Sequence, residues 1–255
     1  MRFLMLLPMM LLLGASPAPE NEWERIFDGE TLAGWTPKIT GRAVGEDPLH
    51  MFTVQDGAIR VSYANYPKFE GEFGHLFWKA PLGAYRIRFE YRLFGESLPG
   101  IQTWQHSNSG LMFHSQAPET MRRDQQFPVS LELQILGIPR PAQEPTANLC
   151  TPGTTVEFEG QRDLRHCILS SSPLLPVGRW TRVELEVLPT GEITHFVDGE
   201  PVLHYAAAEL DPEDSDARPL IAAAGGKVEL NQGYIALQSE GHQIEFRNIE
   251  LKRLD

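Results

Sequence analysis

From Tyr85 to Leu93 the chain reads Tyr-Arg-Ile-Arg-Phe-Glu-Tyr-Arg-Leu, five apolar side chains alternating with four charged ones. A strict period of two fits an extended strand with one face buried and one in water, because a helix would repeat every 3.6 residues. The alternation returns where Val183, Leu185 and Val187 interleave with Arg182, Glu184 and Glu186, and again where Ile244 and Phe246 lead into Ile249 and Leu251. With these three segments set at 84–94, 179–188 and 242–253, further strands are predicted over 51–54, 57–63, 74–79, 109–115, 129–137, 164–170, 192–198, 201–205 and 233–239. Asp56-Gly57, Thr190-Gly191 and Asp198-Gly199 stand at hairpin turns, and 20 prolines and 22 glycines supply the remaining breaks. So many strands with turns between them predict an all-β fold, a jelly-roll sandwich of two antiparallel sheets. Helix is expected only as a turn or two, at 119–122 and 206–210. Long loops are left at 36–50, 95–107, 138–163 and 206–232, and loops of such length commonly carry binding sites.

Residues 1–18 read as a secretory signal peptide: Arg2, an apolar run from Phe3 to Leu13, then Gly14, Ala15, Ser16 and Ala18. The run is short of the roughly 20 residues that span a bilayer, so membrane insertion is not expected. Residues 19–255 then form one β-sandwich domain in an exported protein, periplasmic or extracellular. A formal charge of −12 with no basic block excludes nucleic acid as a partner and fits a neutral ligand such as a carbohydrate. The two cysteines, Cys150 and Cys167, are expected to pair in an oxidising compartment; free thiols or a metal pair are the alternative, and the spacing is unlike that of metal ligands.

Strand parity turns these segments into a site. In the strand around Glu132, the apolar residues Val129, Leu131, Leu133 and Ile135 leave Ser130, Glu132 and Gln134 on the opposite face. Asn108, Gly110, Met112 and His114 point away from Leu111 and Phe113; Gln238 and Glu240 point away from Ile235 and Leu237. If the strands are neighbours, Glu132, Gln134, His114, Gln238 and Glu240 line one groove, the alternative being a solvated sheet face. The absence of lysine on that face favours the groove. Parity breaks near Arg247-Asn248, which predicts a bulge. Arg247 would then turn inward to a carboxylate such as Glu132 or Glu245, unless the break is a simple edge irregularity. His75, His166, His242 and Trp104 are further candidates for the groove or its rim. His114 with Glu132 is a candidate pair for a divalent ion if the fold joins them. No phosphate-cradling loop or dinucleotide fingerprint is present, so no nucleotide cofactor is expected.

The motifs Phe27-Asp28-Gly29 with Leu32, Gly34 and Trp35, then Asn108-Ser109-Gly110 with His114, Glu132-Leu133-Gln134, Gly178-Arg179-Trp180 and Asp198-Gly199 stand in order along the chain. Gly233 to Gly241 and Glu245-Phe246-Arg247-Asn248-Ile249 complete the series. Together they resemble the 3-keto-disaccharide hydrolase family over nearly all of residues 19–255. Where many relatives carry arginine this chain has His114, and where they carry histidine it has Glu240. The resemblance implies a concanavalin A-like jelly roll that acts on glycosides whose sugar has been oxidised to a ketone at C3 by a separate dehydrogenase. The implied chemistry removes the C2 proton, expels the aglycone from C1 and then adds water. Glu132 or His114 would be the base, Gln134, Asn108 or Arg247 would face the enolate oxygen, and Glu240 or His166 would be the acid. Two other readings remain: a non-catalytic glycan-binding module using Trp104, Trp78 or Tyr234 as platforms, and an ordinary glycosidase using the paired carboxylates.

Overall fold

The structure is a computed structural model that describes residues 22–254, so the predicted signal peptide lies outside the described residues. In chain order the strands are β1 (Glu24–Arg25), β2 (Trp35–Ile39), β3 (Phe52–Gln55), β4 (Ala58–Val61), β5 (Gly74–Trp78), β6 (Tyr85–Phe94), β7 (Asn108–Ser115), β8 (Leu131–Leu136) and β9 (Asn148–Cys150). There follow β10 (Thr154–Phe158), β11 (Gln161–Asp163), β12 (Cys167–Ile168), β13 (Thr181–Val187), β14 (Glu192–Val197), β15 (Glu200–Leu210), the helix α1 (Ala217–Ala223), β16 (Tyr234–Ser239) and β17 (Gln243–Arg253). They form two sheets: a back sheet ordered β11-β10-β15-β14-β13-β6-β17-β4-β3, with β1 on β17, and a front sheet ordered β12-β9-β8-β7-β16-β5-β2. Every ladder between them is antiparallel. The fold is the all-β jelly-roll sandwich that the alternation predicts.

The period-two segment is β6, and its residues are alternately buried and half-buried along all ten positions. Its Ile87, Phe89 and Leu93 join Val183, Leu185 and Phe246 from the back sheet and Leu111, Phe113, Leu131, Leu133, Ile235 and Leu237 from the front sheet in one core. The charged residues of the back sheet face outward in cross-strand pairs. Arg88 donates to Glu250 at 2.7 Å, and Glu245, 2 % exposed, is held by both Arg60 and Arg92. The predicted break in β17 exists: its register against β6 shifts between Arg247 and Glu250, and Asn248 has φ +53°. The bulge does not bring Arg247 to the site. Arg247 stays on the outer face of the back sheet, where its Nε donates to Glu90 at 2.7 Å and its guanidinium lies 3.8 Å from the Trp180 ring centroid.

Several elements differ from the sequence expectation. The segment 36–50 begins with an edge strand, β2, that tolerates Pro37 because an edge need not donate on both sides. The loop expected at 138–163 contains β9, β10 and β11, each five residues or shorter. The alanines at 206–208 form no helical turn. They extend β15 to Leu210, paired with β10 and bulged where Ala207 takes φ +49°, so pairing overrides the helical preference of alanine. The strand expected at 164–170 shrinks to the two residues of β12, and α1 lies in a stretch read as loop. Cys150 and Cys167 are disulfide-bonded across β9 and β12, where they stand directly opposite one another.

Candidate active site

The outer face of the front sheet carries the polar residues that parity assigned to it, His114 excepted. Leu131, Leu133 and Ile135 of β8 enter the core, which turns Glu132 and Gln134 outward. Across the sheet, Gln134 stands between Gly110 of β7 and Asn148 of β9, and Glu132 stands between Met112 and Cys150. On the far side His75 of β5 lies opposite Gln238 of β16. Gly110 is where the Glu132 side chain leans: a Cβ there would collide with the Glu132 carboxyl. A glycine in mid-strand costs stability, and here it makes room for a carboxylate.

Loops wall this floor into a cavity of about 450 Å³ lined by Glu132, Glu240, Asn108, Gln134 and Arg140, with Trp104, Phe127, His166 and Leu169 toward its mouth. That volume lies in the range usual for small-molecule sites, about 300–1,000 Å³. Glu240 follows the end of β16 and is fixed by its backbone. Gln105 Nε2 donates to its carbonyl at 2.9 Å, and the next N–H, of Gly241, donates to Tyr63 Oη at 2.7 Å. Gly241 has φ +95°, a conformation that glycine takes without strain. The Tyr63 hydroxyl also bonds the Ser239 hydroxyl, so the residues on both sides of Glu240 share one anchor.

Both carboxyl groups are buried, Glu132 6 % and Glu240 2 % exposed, and Glu132 Oε1 and Glu240 Oε2 have no hydrogen-bond partner. Burial pushes Glu132 well above the usual carboxylate range, and the neighbouring charge of Glu240 pushes it further. Burial likewise raises Glu240, to about 8, while the Arg140 guanidinium pulls it back down. The two carboxyls repel, so they share at most one negative charge near neutral pH, and Arg140 favours placing it on Glu240. Arg140 is itself nearly covered; it donates to Glu144 at 2.8 Å and to the Trp104 carbonyl at 3.1 Å, and its Nε is unpartnered. Asn108 Nδ2 donates to the same Trp104 carbonyl at 3.2 Å, leaving Asn108 Oδ1 free. Asn148 occupies Gln134 Oε1 at 3.1 Å, which aligns the Gln134 amide on the floor.

The structure brings Glu132, Glu240, Asn108, Gln134, Trp104 and His166 to one cavity. His75 and Gln238 share the floor but lie beyond the cavity wall. Both are fully buried, all four of their side-chain polar atoms are unpartnered, and Phe127 lies 6.1 Å from the His75 ring. Burial, and secondarily the charge of Lys38, lowers His75 to about 3, so its imidazole is neutral. His242 is buried too, and its Nδ1 bonds the Ser97 hydroxyl at 2.8 Å. His114 does not join Glu132. The register of β7 against β16 slips so that Phe113 and His114 together oppose Ile235, and His114 takes φ +45°. That bulge breaks the alternation and sends His114 to a separate small cavity beside Ala84, Val187 and Ala207. The candidate metal pair is therefore not assembled, and among the described residues no group of three or more His, Cys, Asp or Glu is placed to hold a metal ion. Arg140, Phe127 and Leu169 escaped the sequence reading. Arg140 sits in an irregular loop where no periodicity singles it out; the length of that loop was its only signal.

The family model described as a 3-keto-alpha-glucoside-1,2-lyase-like domain matches residues 22–252. A 3-keto-disaccharide hydrolase of Bacteroides thetaiotaomicron is 23 % identical over 257 aligned positions, covering 94 % of this chain and 81 % of the relative. Among solved structures, a Parabacteroides distasonis protein provisionally described as a glycosyl hydrolase aligns with a TM-score of 0.52 at 18 % identity, covering 91 % of this chain and 94 % of the other. A Bacillus subtilis protein of unknown function with a galectin-like fold aligns with a TM-score of 0.55 at 12 % identity, over 91 % and 94 % of the two chains. At such identities the structural likenesses speak for the fold alone.

Proposed function

Because the chain belongs to the 3-keto-alpha-glucoside-1,2-lyase-like family, we propose that it cleaves glycosides bearing a ketone at C3 by elimination followed by hydration. The observation that carries this reading is the pair of buried carboxyls, each with a free oxygen, on one cavity beside a single buried arginine. A ketone at C3 acidifies the C2 proton. A base removes that proton and leaves an enolate on the C3 oxygen; the enolate reforms the ketone as the C1–oxygen bond breaks, and the departing oxygen takes a proton. Water then adds at C1 while a proton returns to C2.

Such a reaction needs one ionised and one protonated group at neutral pH. Arg140 favours ionisation of Glu240, so Glu240 is the base, whereas Glu132 keeps its proton and is the acid for the leaving group. This reverses the roles that the sequence pointed to for the two glutamates. Gln134 and Arg140 are the donors for the enolate oxygen, and Asn108 Oδ1 is an acceptor for a sugar hydroxyl. A binding module would offer its ligand aromatic platforms and hydrogen bonds, and it would gain nothing from two buried carboxyls that destabilise each other.

The keto substrate implies a separate sugar dehydrogenase acting first, and the disulfide fits an exported protein; both belong to this proposal. The test is product release from a 3-keto-glucoside beside the unoxidised glucoside, with and without chelator. Release from the keto compound alone, falling about 100-fold or more in Glu240→Gln, is the expected result. Equal cleavage of the unoxidised glucoside would identify an ordinary glycosidase instead.

A further inference from the structure

Polarity is unevenly distributed around the cavity. Its carboxyl and amide groups lie on the floor of the front sheet, with Arg140 and its partner Glu144 on the wall, whereas the mouth is formed by Trp104 and Phe127 on one side and by Pro152, Leu169 and the Cys150–Cys167 disulfide on the other, His166 being the one ionisable side chain among them. Trp104 is 46 % and Leu169 54 % exposed, two of only four large hydrophobic side chains so exposed among the described residues. Both are held in place. Trp104 stacks parallel to Phe73, with ring centroids 6.1 Å apart. Leu169 follows β12, where the burial of Ile168 turns Cys167 and Leu169 to the outer face and the disulfide ties the strand to β9.

We infer that this rim is the leaving-group subsite, and that it selects keto-glycosides with an apolar aglycone over those that release a second sugar. The inference rests on the proposed reaction: with the keto sugar on the polar floor, the group at C1 points to the mouth and departs through it. A sugar leaving group would bring hydroxyls to walls that offer few partners, while an alkyl or aryl group would cover Trp104 and Leu169 and gain hydrophobic free energy. Stacking on Trp104 alone would suit a sugar as well; Leu169 and the disulfide opposite it tip the choice. The neighbouring polar cleft, lined by Arg122, Asp214 and Asp216 and reached past His166, is the competing place for a second sugar.

The experiment compares 3-keto-glucosides of methanol and cyclohexylmethanol, alcohols of similar acidity, so that rates report binding of the aglycone and not its ease of departure. A 3-keto-disaccharide is run beside them. The expected result is a kcat/KM about 100-fold higher for the cyclohexylmethyl compound than for the methyl one, with that ratio falling about tenfold in Leu169→Ser. Equal values for the two alkyl compounds, or a ratio untouched by Leu169→Ser, would overturn the subsite while leaving keto-glycoside cleavage standing. A disaccharide turned over fastest, with its advantage lost in Arg122→Ala, would overturn it in favour of the polar cleft. If no keto-glycoside is cleaved, the reaction itself is wrong, and calorimetry with the unoxidised cyclohexylmethyl and methyl glucosides decides the rim: equal affinities would overturn it there too.

Discussion

Glu240→Gln should make the protein more stable at neutral pH, and by an amount that depends on pH. Burial raises the Glu240 carboxyl from an ordinary 4.5 to about 8. At about 1.4 kcal/mol for each tenfold change in acidity, that rise makes ionisation in the folded protein about 5 kcal/mol harder than in the unfolded chain. Since the folded value is the raised one, the stability conferred by the neutral carboxyl is complete below about 4.5 and is lost as pH climbs to about 8. At pH 7 the parent has lost about 3 kcal/mol and at pH 5 about 1 kcal/mol; a glutamine loses none. Removing the charge also relieves Glu132, an effect of the same sign. Arg140 loses a neighbour but keeps Glu144, and its attraction for the Glu240 carboxylate is already contained in the value of about 8, so it enters the comparison only through that value. Thermal unfolding of parent and variant should therefore show a Tm difference at pH 7 that exceeds the difference at pH 5 by roughly 4–8 °C for a chain of this size. A Tm difference constant from pH 5 to pH 7 would show that Glu240 ionises as readily in the fold as out of it, and the assignment of a suppressed charge would fall.

The pH profile of kcat/KM follows from the same pair: activity should rise with pH through about 8 as Glu240 loses its proton, and Arg140→Gln should move that limb to higher pH because the cation no longer favours the carboxylate. A limb left in place by Arg140→Gln would remove the arginine from its role. Gly110→Ala should lower turnover by about 100-fold, the scale of an ångström-sized misplacement of a catalytic group, because its methyl displaces the Glu132 carboxyl. No backbone strain is added, since Gly110 is not among the residues with positive φ, but crowding the buried Glu132 side chain should cost about 1–3 kcal/mol of stability; normal turnover in that variant would show that Glu132 does not need its present position.

The parts of the fold that could be read from the sequence were those governed by alternation over several pairs of residues. β6, β13 and β8 expose one face to the core and the other to solvent or ligand, so parity alone placed Glu132 and Gln134 correctly on the outer face. Parity failed at bulges. One extra residue in β7 opposite Ile235 redirects His114, an effect of tertiary pairing that leaves no local mark, whereas the bulge in β17 was visible because it shifted apolar residues from one face to the other. Even there only the break was legible. Where Arg247 ended depended on Glu90 and Trp180, brought beside it by β6 and by the approach to β13. Arg140 was invisible because it belongs to no periodic element, and its burial depends on Trp104 and Glu144 folding around it.

The same chemistry is treated in opposite ways on the two outer faces of the sandwich, and that contrast argues for a site more strongly than any single residue. On the back sheet, carboxylates are neutralised across strands: Glu245 lies between Arg60 and Arg92, Glu250 meets Arg88, and Glu90 meets Arg247 and Asn248. That face carries abundant charge and leaves little free to react. The floor of the front sheet carries fewer ionisable groups, buries them more deeply and leaves them short of partners: Glu132, Glu240, His75, Gln238 and Asn108 all keep unpaired polar atoms. Each buried unpaired polar group costs about 1–3 kcal/mol, so together they hold back several kcal/mol that a fold selected for stability alone would recover by pairing or by apolar substitution. A ligand in the cavity carrying hydroxyl and carbonyl groups would supply partners for Glu132, Glu240 and Asn108, whereas His75 and Gln238 lie beyond its wall. The unpaired groups on the cavity floor are thus a reserve that a ligand could draw on, and Glu240→Gln tests both aspects at once, since the change that stabilises the protein is the one that removes the proposed base.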